Sequence, residues 1–250
     1  MGGRSERERL RAAHTKQAVR ARLQASSHSY LRDFVYGAID GIVTTFAVVA
    51  GVAGAGLEDR VVIILGAANL LADGFSMAVS NLLGSRAEAQ QRAQALLDEE
   101  RQIDLFPEGE REEIRQIYAA KGLRGDTLEA VVEAITADRE LWLRTMITEE
   151  LGYASSERSP MRAAMTTFLA FVALGALPLL IFAAQSFAGI EVDAPFVWSA
   201  ALTALAFFAV GTFKSRFVEQ AWWKAGLETL ALGGVAAGLA YVVGIVLQGV

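Results

Sequence analysis

The sequence predicts an all-α, polytopic membrane protein with five transmembrane helices and a charged, cytoplasmic helical insert between the second and third. Three observations lead there. Apolar residues make up 53% of the 250, although 20% are charged, and the mean hydropathy stays positive. The charges are segmental, clustering before residue 34, between 85 and 162, and around 214–224. Between them lie apolar runs of the length, about 20 residues, that a helix needs to cross the hydrocarbon core.

The runs are roughly 34–57, 61–84, 164–188, 196–213 and 226–249, the fourth being the shortest. Glu58-Asp59-Arg60 joins the first two into a helical hairpin, and Glu191–Pro195 joins the third and fourth. Four segments follow: a basic arm over 1–33, spans one and two over 34–84, the insert over 85–162, and spans three to five over 163–250. The N-terminus shows no short apolar stretch before a small-residue cleavage site, so the first run reads as a retained span. Lysine and arginine flanks set the orientation. Arg4, Arg7, Arg9, Arg11, Lys16, Arg20, Arg22 and Arg32 crowd the arm, and Lys214, Arg216 and Lys224 follow span four. The 189–195 link has none. The arm, the insert and the 214–224 link are therefore expected in the cytoplasm, with the C-terminus opposite. The arm, about 5–25, reads either as an amphipathic helix lying on an anionic leaflet or as a disordered basic tail.

Within the insert, 85–104 continues span two without a breaker, so that helix is expected to project from the membrane. Pro107 interrupts it and a helix restarts over 108–120. Gly122 and Gly125 punctuate. Asp126 with Glu129 reads as a capping box opening a helix to about Ala137, and a last helix covers 138–152 and ends at Gly152. Pro178 predicts a kinked or broken third span, which lipid tolerates when neighbouring helices satisfy the freed backbone. Gly41, Gly51, Gly54 and Gly56 in span one predict close helix packing, as do Gly234, Gly238 and Gly244 in span five, where the small-xxx-small spacing of the first two is also compatible with a dimer.

Several chemistries are excluded. There are no cysteines, and the two histidines, His14 and His28, both lie in the arm, so thiolate and imidazole-rich metal sites are not expected. No Walker loop, G-x-S-x-G or dinucleotide fingerprint occurs. The chain is read as no enzyme, with no permanently bound cofactor and no nucleic-acid partner.

Ionisable groups inside spans are the most informative residues, because a charge in mid-bilayer is costly and usually faces a bundle interior or a pathway. Asp40 lies in span one and Asp73 in span two. Asn69, Asp73, Met77 and Asn81 recur every fourth residue and share one helix face. Carboxylate, amide oxygen and thioether on one stripe suit a divalent transition metal. The competing reading is a set of inter-helix hydrogen bonds with Met77 filling a gap. In the insert, Glu110 and Glu113 share a helix face. Glu99 and Glu100 lie upstream, and Met146, Glu149 and Glu150 lie on the last helix. Carboxylates on separate helices can converge on a metal, although a solvated acidic face is the ordinary alternative. No Glu-x-x-His motif supports a ferritin-type oxidase site.

Three stretches resemble the vacuolar iron transporter family. They are Tyr36-Gly37-Ala38-Ile39-Asp40-Gly41-Ile42-Val43-Thr44-Thr45-Phe46-Ala47, Ala68-Asn69-Leu70-Leu71-Ala72-Asp73-Gly74-Phe75-Ser76-Met77-Ala78, and Trp142-Leu143-Arg144-Thr145-Met146-Ile147-Thr148-Glu149-Glu150-Leu151-Gly152. The resemblance covers about 33–250 and is that of a bacterial-type member. It implies a homodimer in a bacterial inner membrane, with a pathway between subunits that exports cytosolic Fe²⁺, with Mn²⁺ a second cargo, in exchange for protons. By motif match Asp40 and Met77 line the pathway, and Glu110, Glu113, Met146 and Glu150 collect metal, with Glu99 another match. Two departures stand out. Asn69 and Gln102 occupy positions where relatives carry glutamate; Asp73 and Glu100 are the neighbouring carboxylates that could substitute. The alternatives from other classes are a membrane-anchored metal sensor or store that binds without transport, an oxidase built on the insert glutamates, and a proton-coupled carrier of an organic solute.

Overall fold

A computed structural model describes residues 6–24, 30–153, 158–217 and 220–248, all of whose regular structure is helical. Arg4, His28 and the last residue of the fifth predicted span lie outside the described residues. The chain divides into two compact units. One joins Tyr30–Glu88 to Ser159–Val250, and the other joins the N-terminal arm to Ala89–Arg158. The arm holds two short helices, α1 (Glu6–Ala13) and α2 (Lys16–Gln24).

The membrane unit contains the five apolar helices that the hydropathy predicts. The first is α3 (Leu31–Gly54). The second is the start of α4 (Asp59–Leu105). The third is broken into α8 (Pro160–Gly175), a 3₁₀ turn (Leu177–Leu179) and α9 (Leu180–Ala188). The last two are α10 (Pro195–Lys214) and α11 (Trp222–Leu247). Span one begins and ends three residues earlier than predicted. Its last turn closes at Gly54, and Gly56 then takes a left-handed conformation (φ 65°) that reverses the chain. At the break after Gly175, the Ser199 hydroxyl of α10 donates to the Pro178 carbonyl at 2.6 Å. A neighbouring helix thus satisfies a carbonyl that the interrupted helix leaves exposed.

Among apolar tails there is little hydrophobic drive for helices to associate, so close backbone approach has to supply the attraction. Here glycine supplies it on α3. A Cβ on Gly37 or Gly41 would strike the α8 backbone at Thr167 and Phe171, and one on Gly175 would strike the Gly41 carbonyl. Gly54 meets Tyr241, and Gly244 of α11 meets Gly51. Within the chain Gly234 and Gly238 make no such contact: both are exposed, with nothing among the described residues within reach of a Cβ, while Gly244 packs as expected and Gly226 and Gly233 make the other close contacts of α11. The outer face of α11, with Leu232, Val235, Leu239 and Val246, stays exposed as a lipid-facing surface should.

In the insert, α4 runs on to Leu105 without a break. Its 47 residues far exceed the roughly 20 that a span requires, and those from Ala89 on belong to the insert. Pro107 then opens α5 (Pro107–Ala120), where a missing N–H costs nothing. Next come α6 (Gly125–Thr136) and α7 (Arg139–Thr145), which passes into one π turn (Met146–Glu150). Ile103, Ile114, Leu128, Val132, Ile135, Trp142, Leu143 and Met146 form the core. The capping-box reading fails. The residue preceding α6 is Arg124, Asp126 already lies inside the helix, and no side chain caps it. Glu129 instead accepts two hydrogen bonds from Arg115 of α5, at 2.8 and 2.9 Å, a bidentate pair that a reach back to the helix start could not match. The built cap is Asp138, whose Oδ1 accepts from the Glu140 and Leu141 amides and starts α7 where the sequence placed the last helix.

Candidate metal-transport site

In the membrane unit the polar groups of α3 and α4 face one another. Asp40 and Asp73 are both half-buried, and their carboxylates lie near enough to repel. The Thr44 hydroxyl donates to the Asp40 main-chain carbonyl at 2.9 Å. One turn from Asp73 on the same face is Met77, also half-buried, and on the other side Asn69 has a buried Nδ2 with no acceptor. Each is a cation ligand type, and each sits on the inner side of α4, opposite exposed Leu71, Phe75 and Leu83.

In the insert, four glutamates from three segments form two carboxyl–carboxyl pairs. Glu99 of α4 pairs with Glu110 of α5, and Glu113 of α5 pairs with Glu150 of the π turn. Glu99 and Glu110 are buried, with one oxygen each lacking a donor, whereas Glu113 and Glu150 are exposed. Burial, and then the charges of Glu150, Glu110 and Glu113, push the Glu99 carboxyl up to about 7. Glu110 is raised by burial and by Glu113 and Glu150; Glu150, although its residue reaches solvent, is raised by partial desolvation of its carboxyl and by Glu113. Near neutral pH the Glu99 carboxyl is therefore partly protonated, and a cation binding there would displace that proton. Among the described residues no three or more histidine, aspartate or glutamate side chains are placed so that together they could hold a metal ion.

Met146 is fully buried in the insert core. The π turn begins at this residue and shifts the following register by one, which carries Glu150 to Glu113. Two glutamates singled out in the sequence stand apart from the pairs. Glu149 is held in an ion pair with Lys121. Glu100 is half-buried beside Arg139, which itself pairs with Asp104 at 2.6 Å. Gln102 is exposed.

The VIT family profile matches residues 31–245, a range that holds every one of these groups. The chain belongs to the VIT family. Similar proteins include the vacuolar iron transporter of Toxoplasma gondii, 33% identical over 229 residues covering 89% of this chain and 76% of that protein. Vacuolar iron transporter 1 of Eucalyptus grandis is 29% identical over 240 residues, 96% and 92% of the two chains. Its namesake in Arabidopsis thaliana is 29% identical over 219 residues, 87% and 86%. As a member of the VIT family the chain is an integral membrane transporter and not an enzyme.

One buried carboxylate of this VIT-family chain escapes a reading by span. Asp33 follows Arg32 at the polar boundary and looks like an interfacial charge, yet it is 7% exposed. Its signal was the seven-residue spacing to Asp40, two helical turns along the same face of α3. Glu228, by contrast, lies where a flank charge belongs: it is exposed, 3.8 Å from Lys214, and accepts from Gln220.

Proposed function

We propose that the chain exports divalent transition metal from the cytosol, Fe²⁺ first and Mn²⁺ second, in exchange for protons. It acts as a homodimer in a bacterial inner membrane, with the arm and insert cytoplasmic. The observation that carries this reading is Asp40 of α3 set against Asp73 of α4 within the bundle of membrane-spanning helices. Two opposed carboxylates carry two negative charges between them, which one divalent cation or two protons neutralise. Met77 adds a thioether, a soft donor that favours a transition metal over calcium or magnesium. The names of the relatives supply iron as the first cargo to test.

The insert glutamates collect metal on the cytosolic side. By binding the cation, Glu99, Glu110, Glu113 and Glu150 raise its local concentration, with the Met146 sulfur beneath them. Metal then binds at Asp40, Asp73 and Met77, and protonation from the acidic side releases it. Asp73 supplies the carboxylate that Asn69 does not. The test is pH-driven Fe²⁺ flux into proteoliposomes. Asp40→Ala and Asp73→Asn are each expected to abolish it. Intact flux in both overturns the mechanism. Metal binding by the wild-type chain without any flux favours the sensor or storage reading instead.

A further inference from the structure

The α3–α4 face does not end at Asp40 and Asp73. Two turns along α3 toward its N-terminus lies Asp33, and two turns along α4 toward the insert lies Asn81. The helices are antiparallel, so equal steps bring these two opposite one another. The Asn81 Nδ2 donates to Asp33 Oδ1 at 3.0 Å and to the Thr167 hydroxyl of α8 at 2.7 Å. The Thr167 hydroxyl is within reach of the Ala163 carbonyl at 3.1 Å and the Asp33 main-chain carbonyl at 3.4 Å. Ser85 donates to Asn81 Oδ1 at 3.2 Å. Asp33 Oδ2 is buried and has no partner.

A buried carboxylate with a bare oxygen is costly unless a proton or a cation completes it. We infer that Asp33, Asn81 and Thr167 form a further cation station, at the cytosolic end of the Asp40–Asp73 face, that takes a partly hydrated divalent cation through oxygen ligands. The inference rests on the transport reading above. Asp33 contributes its carboxylate. Turned about its terminal bond, the Asn81 amide presents Oδ1 where Nδ2 now lies, and the Thr167 hydroxyl contributes its oxygen while donating to Ala163. Three oxygens from three helices, with water completing the shell, suit a hard divalent ion. The station lies about 10 Å from Asp40 along α3, a separation that lets an ion be handed on without both sites being one.

A structural latch is the competing explanation, since Asp33 also sits in the first turn of α3, where a negative charge is favoured. Concentration dependence separates the two. Full-length protein in proteoliposomes is assayed for initial Fe²⁺ flux across a wide range of Fe²⁺, with Asp33→Asn, Asp33→Glu and Asn81→Ala beside wild type. The station predicts that Asp33→Asn raises KM by about tenfold or more while flux at saturating Fe²⁺ approaches wild type, that Asn81→Ala raises KM less, and that Asp33→Glu restores most of the affinity. An unchanged KM for Asp33→Asn overturns the inference, whether flux is normal or lowered at every concentration. Should Asp33→Asn fail to yield folded dimer or monomer, Asn81→Ala decides, with an unchanged KM again counting against the station. No flux in wild type defeats the transport reading itself, a result distinguishable from any of these.

Discussion

In the membrane unit helices meet backbone against backbone at Gly37, Gly41 and Gly175, while the insert is filled by large side chains, Ile114, Trp142 and Met146 among them. The reason is the solvent. Lipid offers apolar side chains the same surroundings as a protein core, so only close packing and polar contacts hold spans together. Water around the insert makes burial itself the drive. The acidic groups differ in the same way. In the membrane unit they are spaced along one face, with amides and hydroxyls between them. In the insert they are pressed into pairs at the edge of the core. The spaced arrangement suits passage and the paired one suits collection.

The largest expected effect tests the packing half of this contrast. Gly41→Val places a branched side chain against the Phe171 backbone, which cannot rotate away. Detergent-solubilised Gly41→Val is expected to lose its monodisperse elution and its cooperative melting. Gly234→Ala, with open space at its Cβ, is expected to shift stability by no more than about 0.5 kcal/mol. Equal damage from both would mean that α11 packs through Gly234 against another chain, and would sharpen the dimer reading rather than the fold.

Next in size is Met146, where packing and ligation coincide. Met146→Ala opens a cavity in the insert core and is expected to cost about 2–5 kcal/mol. Met146→Leu keeps the volume and should cost less than about 1.5 kcal/mol, yet it removes the thioether. Hydrogen-exchange protection over residues 99–150 of the full chain reads the first quantity, and Fe²⁺ titration reads the second. If Met146→Leu binds as wild type does, the sulfur serves packing alone.

The paired glutamates also predict a pH dependence of definite sign. A carboxyl raised from 4.5 to about 7 favours the folded insert below about 4.5, and that share is lost as pH rises through 7. Metal affinity runs the other way, because ions displace protons. Metal-free protection in the insert is expected to fall between pH 5 and pH 8. Affinity is expected to rise over the same range, by up to about tenfold per unit below pH 7 for each proton displaced. Glu99→Gln should flatten the stability profile, and an unaltered slope in that variant would place the titration elsewhere.

How much of this was legible followed the same division. Against an apolar background Asp40 and Asp73 stand out at once, and a four-residue stripe places Met77 beside them. Asp33 stayed hidden because it lies at the edge of that background. In the insert nearly every helix face is acidic, so spacing alone cannot tell a paired glutamate from a solvated one. Glu99 is buried and Glu100 is its neighbour in sequence, but only the packing of α5 against α4 decides between them. The capping box failed for a related reason. Local pattern proposed Asp126 and Glu129, while Arg115, fourteen residues away in sequence, offered Glu129 a bidentate partner.

Glu149 is where that difficulty becomes an experiment with a small expected effect. It neighbours Glu150 in sequence, and on charge alone the two are equivalent. The π turn separates them, carrying Glu150 to Glu113 and leaving Glu149 with Lys121. Both partners of that ion pair are substantially exposed to solvent, so removing its charge should cost no more than about 1 kcal/mol. Glu149→Gln is therefore expected to bind Fe²⁺ with affinity within about twofold of wild type, whereas Glu150→Gln weakens binding by roughly tenfold or more. If Glu149→Gln proves the more damaging, the register set by the π turn does not persist when metal binds. A regular α-helical turn over 146–150 would then present Glu149 to the cluster, and the collecting site would have to be rebuilt around that residue.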